Sequence, residues 1–206
     1  MKFINTEIKD LIIIKPKIFN DPRGYFMESY RNDLFKKKYP DIDFVQENES
    51  YSKRGVLRGL HFQKPPYAQG KLVYVIRGSV LDVAVDLRKG SQTYGQHFSI
   101  VLSEENHTQF YVPEGFAHGF VTLEDNTIFA YKCTNFYHPE SEGAIIWNDS
   151  DLNIDWSDCF KQNKKVNEYK ESSEDREKRQ KRLQERIRQR KKSNEEKMRQ
   201  KECVNT

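Results

Sequence analysis

The chain has 206 residues, enough for one domain of ordinary size and a core that needs no disulfide or metal staple. Its net charge of +4 hides an asymmetry: residues 161–206 carry 17 basic and 9 acidic side chains and a single aromatic, Tyr169, whereas residues 1–160 are slightly acidic and hold the other 25 aromatics. No apolar run is long enough to span a bilayer, and the early run Leu11 to Ile14 is too short for a signal-peptide core. The odd count of three cysteines, Cys133, Cys159 and Cys203, has no paired spacing and predicts a protein of the reducing cytoplasm.

In chain order, Asn32 to Tyr39 is the one helical stretch of the body. Lys71 to Arg77 is a short β-rich run. Ser79 to Leu87 alternates strictly: Leu81, Val83, Val85 and Leu87 share one face, and Val80, Asp82, Ala84 and Asp86 share the other. Period two over that length predicts a strand between two different environments. His97 to Leu102 and His118 to Leu123 are further short runs. Thr127 to Cys133 places Phe129, Tyr131 and Cys133 on one face and Ile128 and Ala130 on the other. Turn signals at Arg77-Gly78-Ser79, Lys89-Gly90-Ser91, Pro113-Glu114-Gly115 and His138-Pro139 punctuate them. Closely spaced strands without alternating helices predict an all-β sandwich or jelly roll.

The boundary is expected near residue 160. Beyond it, Glu174 to Lys201 is rich in helix formers and in acid-to-base i,i+4 pairs such as Glu174/Lys178, Glu177/Lys181 and Glu195/Arg199. Leu183, Ile187 and Met198 are too few for a coiled-coil seam. The 161–206 tail is therefore expected to be a solvated helix or a disordered charged segment. No aromatic interleaves its basic residues, which argues against nucleic acid as its partner.

Phosphate-cradling glycine loops, paired metal-ligand spacings and a nucleophile-elbow serine are all absent from the sequence. Two polar-bearing segments remain. In Arg54 to Gln63, Arg58 and His61 would point to opposite faces of a regular strand unless a bulge intervenes, which Gly55 and Gly59 permit. An arginine and a histidine together in an apolar run are poorly explained by packing. In Tyr111 to Phe120, Pro113-x-Gly115-x-x-His118 resembles the second half of the cupin signature. The paired histidines of metal cupins are replaced by His61-Phe62-Gln63, so a cupin barrel without a catalytic metal is expected.

Eight blocks in order make the resemblance specific. They are Phe19 to Glu28, Phe44 to Asn48, Gly55 to Gln63, Gln69 to Val73, Asp82 to Arg88, Pro113 to Phe120, Tyr131 to Thr134 and Trp147 to Asp149. Together they resemble the dTDP-4-dehydrorhamnose 3,5-epimerase family over residues 1–156. The resemblance implies a cupin-like jelly-roll barrel, a homodimer and a nucleotide-linked 4-keto-6-deoxyhexose as substrate. No cofactor is expected, because the protons at C3 and C5 are acidified by the C4 ketone itself.

The resemblance assigns His61 as base, Tyr131 as acid and Lys71 as the cation beside the enolate oxygen. Neutral imidazole and protonated phenol suit those roles at cellular pH. It assigns Arg23 and Arg58 to the diphosphate, Tyr137 to stacking on thymine, and Glu28, Gln46, Glu47, Asn48, His118 and Glu142 to base and sugar contacts. In such dimers N-terminal residues reach the neighbouring site, so Arg23 and Glu28 are candidates to act in trans. The family's late Ser-x-Lys-Asp, whose aspartate orients the base, has its nearest match in Ser172-Ser-Glu-Asp175, making Asp175 the candidate orienter. That departure leaves open inversion at C3 or C5 only and a weakened sugar-nucleotide scaffold; an epimerase or ketoisomerase of another nucleotide 4-keto sugar, such as a CDP- or GDP-linked one, is a further alternative.

Overall fold

The computed structural model describes residues 1–156. Its strands are β1 (Lys2–Asn5), β2 (Ile12–Lys15), β3 (Ile18–Asp21), β4 (Gly24–Met27), β5 (Gln46–Ser52), β6 (Leu57–Gln63), β7 (Lys71–Arg77), β8 (Ser79–Asp86), β9 (His97–Ser103), β10 (Gln109–Val112), β11 (Phe116–Thr122), β12 (Thr127–Cys133) and β13 (Glu142–Ala144). Helix α1 (Asn32–Lys38) and a 3-10 turn at Pro139–Ser141 complete the elements. A six-stranded sheet, in the order β1-β2-β10-β7-β12-β5, faces a five-stranded sheet, β13-β6-β11-β8-β9, and β3 and β4 form a separate hairpin. This is the all-β architecture expected from the strand pattern, and the cupin-like jelly roll that the resemblance implies.

Side-chain alternation divides the apolar residues into three layers. Val73, Val75, Val80, Ala84, Phe110, Phe116, Phe120 and Phe129 fill the space between the sheets. Val83, Val85, Ala117 and Val121 pack on the outer face of the five-stranded sheet, beneath Ile145, Leu152, Ile154 and Trp156. The segment that supplies this cover is fastened by Trp156, whose indole N–H donates to the Trp147 carbonyl at 2.9 Å. On the outer face of the six-stranded sheet, Phe35 of α1 is fully buried against Ile12, Ile14, Leu72 and Tyr111.

Strand β8 is thus enclosed on both faces. Its valines at 83 and 85 lie under the Trp156 cover, while Asp82 and Asp86, both 0% exposed, lie on the inner face. Asp86 is satisfied by Arg88, whose Nε and Nη2 donate at 2.9 and 2.8 Å, and by the hydroxyls of Ser91 and Thr93, each at 2.7 Å. Arg88 also reaches Asp10 at 2.7 Å, so this cluster ties the N-terminal segment to the turn after β8. A carboxylate so deeply buried persists because every direction is met by a donor.

The expected boundary near residue 160, the charged tail 161–206, and Cys159 and Cys203 lie outside the described residues. Cys133 is buried with a free thiol. No helix of the described residues is long and apolar enough to cross a membrane.

Candidate active site

The two sheets bring the central candidates to the inner face of the sandwich. On β6 and β11 the register pairs His61 with His118 and Arg58 with Phe120. Three residues of β6 therefore span two of β11, which is a β-bulge. Its cause is a close approach of two glycines: a Cβ on Gly59 would fall 2.5 Å from the Gly119 Cα, and one on Gly119 would fall 2.8 Å from the Arg58 carbonyl oxygen. Gly59 also has φ of +141°, a backbone conformation that side chains rarely adopt. Arg58 and His61 consequently share one face, as the glycine-permitted bulge predicts.

His118 lies beside His61 and is buried. Its Nε2 stands 2.9 Å from both carboxylate oxygens of Asp82, which lies diagonally on β8, two positions from the register partner Ala84. His61 remains open to solvent. Its partial burial lowers its pKa from the usual imidazole value; the Glu142 carboxylate opposes this, while Lys71 and His118 add to it. Its imidazole is neutral, and so able to accept a proton, at neutral pH.

The opposite wall comes from β7, β12 and β5. Tyr131 lies between Val73 and Asn48, and Lys71 beside Cys133. The Lys71 ammonium lies 5.9 Å from the centre of the Tyr131 ring. Burial lowers the Lys71 pKa, opposed by Cys133, Asp82 and Glu142. Burial raises the Tyr131 phenol above its usual value, with Cys133 in the same direction and Asn48 and Arg58 against, so it stays protonated. Asn48 also donates to the Cys133 Sγ at 3.6 Å and accepts from Gln46 Nε2 at 2.9 Å.

Gln46, Tyr137 and Glu142 border this cluster. The Tyr137 main-chain N–H donates to Gln46 Oε1, and its hydroxyl donates to Glu142 Oε2, both at 3.2 Å. The Tyr137 ring is itself exposed.

Three candidates stand elsewhere. Strand alternation puts Glu47 on the opposite face from Gln46 and Asn48, where it pairs with Lys132 at 2.8 Å and accepts from the Tyr74 hydroxyl at 2.5 Å. Of the candidate contacts Gln46, Glu47 and Asn48, the Glu47 carboxylate therefore does not face His61. Arg23, on the β3–β4 turn, bonds Asp21, and Glu28 bonds Arg31 at 2.9 Å. Neither touches the His61 cluster. Asp175 lies outside the described residues. Among those residues no group of three or more potential ligands could hold a metal ion.

The reading of the sequence missed two participants. Asp82 was legible only as a strand position, since its partner His118 is 36 residues away. Gln63 was legible only as the residue standing where a cupin metal ligand would be.

A β-sandwich with a neutral imidazole on one wall, and a protonated phenol and an ammonium on the other, is a proton-transfer isomerase of the cupin type. The model of the dTDP-4-dehydrorhamnose 3,5-epimerase family matches residues 5–185. The curated dTDP-4-dehydrorhamnose 3,5-epimerase of Methanothermobacter thermautotrophicus is 54% identical over 155 residues, covering 75% of this chain and 83% of that protein. The crystal structure of a dTDP-6-deoxy-D-glucose-3,5-epimerase from Legionella pneumophila in complex with dTDP-4-keto-L-rhamnose has a TM-score of 0.73 at 52% identity, covering 76% of this chain and 83% of that one. A 3'-monoepimerase from Streptomyces bikiniensis in complex with dTDP-quinovose has a TM-score of 0.70 at 34% identity, covering 74% of this chain and 78% of that one. The chain belongs to the dTDP-4-dehydrorhamnose 3,5-epimerase family.

Proposed function

We propose that this site inverts C3 and C5 of dTDP-4-dehydro-6-deoxy-D-glucose, giving dTDP-4-dehydro-L-rhamnose, with His61 as base and Tyr131 as acid. One observation carries the assignment: the two groups project from different sheets toward the same interior. Inversion removes a proton from one face of a carbon and returns one to the other, so donor and acceptor must flank the sugar.

His61 takes the proton from the carbon beside the C4 ketone. The electron pair moves into an enolate whose charge gathers on the C4 oxygen, and the half-buried Lys71 is placed to stabilise it. Tyr131 then protonates the same carbon from the opposite face. The sequence repeats at the second carbon after proton exchange with solvent. Arg58 supplies a bidentate donor to the diphosphate, Tyr137 a face for the thymine, and Gln46, Asn48, His118 and Glu142 polar contacts.

The β3–β4 hairpin supports a homodimer in which Arg23 and Glu28 serve the neighbouring site. It exposes Phe19, Tyr25 and Phe26 at 47%, 57% and 67%, and its charged residues do not touch the chain's own cluster. A cytoplasmic location fits sugar-nucleotide chemistry.

Incubation with the 4-keto sugar nucleotide in D₂O, followed by NMR, tests the reading. Deuterium at both C3 and C5 with inversion at each is the expected result. The 3'-monoepimerase similarity favours one second reading, inversion at C3 alone, for which deuterium would enter only there. Absence of exchange with the nucleotide bound would overturn both.

A further inference from the structure

We propose that Gln63 is a positioning residue that fixes the Tyr137 platform relative to the catalytic base; this rests on the reading of Tyr137 as the nucleobase contact. Gln63 follows His61 by two residues on β6 and is only 8% exposed. Its side-chain amide spends both N–H donors and one lone pair of its oxygen on main-chain atoms of other segments. Nε2 donates to the Tyr67 carbonyl at 2.6 Å and the Phe136 carbonyl at 3.1 Å, and Oε1 accepts from the His138 N–H at 2.6 Å.

Two of these three partners are the residues on either side of Tyr137. The Tyr137 ring is 52% exposed, so packing does little to hold it. Beyond the bond from its hydroxyl to Glu142, its placement depends on the main chain beneath it, which Gln46 bonds at Tyr137 itself and Gln63 bonds on both flanks. The third partner, Tyr67, joins the same assembly from above, since its ring stacks on His138 with centroids 3.5 Å apart and planes 13° apart. One amide thus bridges the strand that carries the proposed base and the stretch that carries the platform, at the two residues that flank Tyr137.

The chemistry is specific to glutamine. Glutamate of the same length keeps the acceptor but turns both donations into carbonyl–carboxylate repulsion. Methionine of similar volume makes none of the three bonds and leaves buried main-chain groups unpaired.

The test uses the full chain, with Gln63→Glu, Gln63→Met, Tyr137→Ala and the Gln63→Met/Tyr137→Ala double variant. Binding of free dTDP is measured by calorimetry and turnover by NMR, with thermal melting as a fold control. The expected result is a loss of about tenfold in dTDP affinity for each Gln63 variant, the scale of unpaired buried hydrogen-bonding groups. KM should rise by more than kcat falls, and the double variant should bind no more weakly than Tyr137→Ala alone.

If Tyr137→Ala weakens dTDP binding but the Gln63 variants do not, or if the two losses simply add, the positioning role is overturned. If Tyr137→Ala leaves dTDP binding unchanged, the nucleobase reading of Tyr137 fails and takes this proposal with it. Failure of both Gln63 variants to fold would make Gln63 a stability residue and overturn the proposal as well.

Discussion

Arg58 and His61 are three residues apart on one strand, yet both lie on the inner face of the sheet, because β6 bulges where Gly59 meets Gly119. The residues proposed as diphosphate contact and as base therefore come from a single continuous segment. Gly59→Ala is expected to destabilise the fold by about 1–3 kcal/mol, since the backbones must part to admit a methyl group. Activity should suffer more, falling about a hundredfold as the base is displaced. Urea denaturation and initial rates on the same preparation check the two losses separately.

Removing the base and removing the acid should give different signatures. His61→Ala is expected to abolish deuterium incorporation from D₂O while leaving dTDP affinity close to that of the parent. Tyr131→Phe keeps the base, so exchange through the enolate should persist while inversion falls by about 10²–10⁴. Persistent exchange in His61→Ala would remove His61 from its role.

The pH profile follows from the charges around His61. Its partial burial and the neighbouring Lys71 and His118 disfavour the imidazolium. The acid limb of kcat/KM is therefore expected below about pH 6.5, the unperturbed imidazole value. Lys71→Met removes a cation that opposes protonation, so the limb should move up; Glu142→Gln removes an anion that favours it, so the limb should move down. A limb that shifts the same way in both variants would show that another group titrates.

Asp86 offers a test of stability rather than catalysis. Burial alone would raise its pKa, but the bonds from Arg88, Ser91 and Thr93 outweigh burial and hold it well below the carboxylate range. A depressed folded-state pKa stabilises above the unfolded value and loses that effect as pH falls toward the folded one. Asp86→Asn is expected to cost about 2 kcal/mol at pH 7. The gap in melting temperature between variant and parent should narrow below about pH 4. Parallel melting curves across that range would count against the cluster.

How legible these features are in the sequence depends on whether their cause is local. The alternation of Ser79 to Leu87 reports a strand with two environments, and β8 has them: valines under Trp156, aspartates within. The alternation of Thr127 to Cys133 likewise puts Tyr131 on the inner face. Strands β1 to β4 have four residues each, too few for a period to register, and the place of β2 in its sheet is set by β10, far along the chain. The eight family-like blocks locate His61, Lys71 and Tyr131 but do not say which way a side chain points. Glu47 shows the limit: its neighbours in sequence line the site and it does not. Gln63 shows another, since its partners are main-chain atoms that leave no residue-type signature.

The two-wall arrangement also makes the thickness of the sandwich a kinetic variable. Facing sheets stand about 10 Å apart, a distance set by the side chains between them. Here the spacers include Phe110, Phe116, Phe120 and Phe129. They act as calipers: under the proposed roles of His61 and Tyr131, the gap that a sugar ring would fill between the two is the gap those rings prop open. Slimming one of them would narrow the jaws without altering a single reacting group.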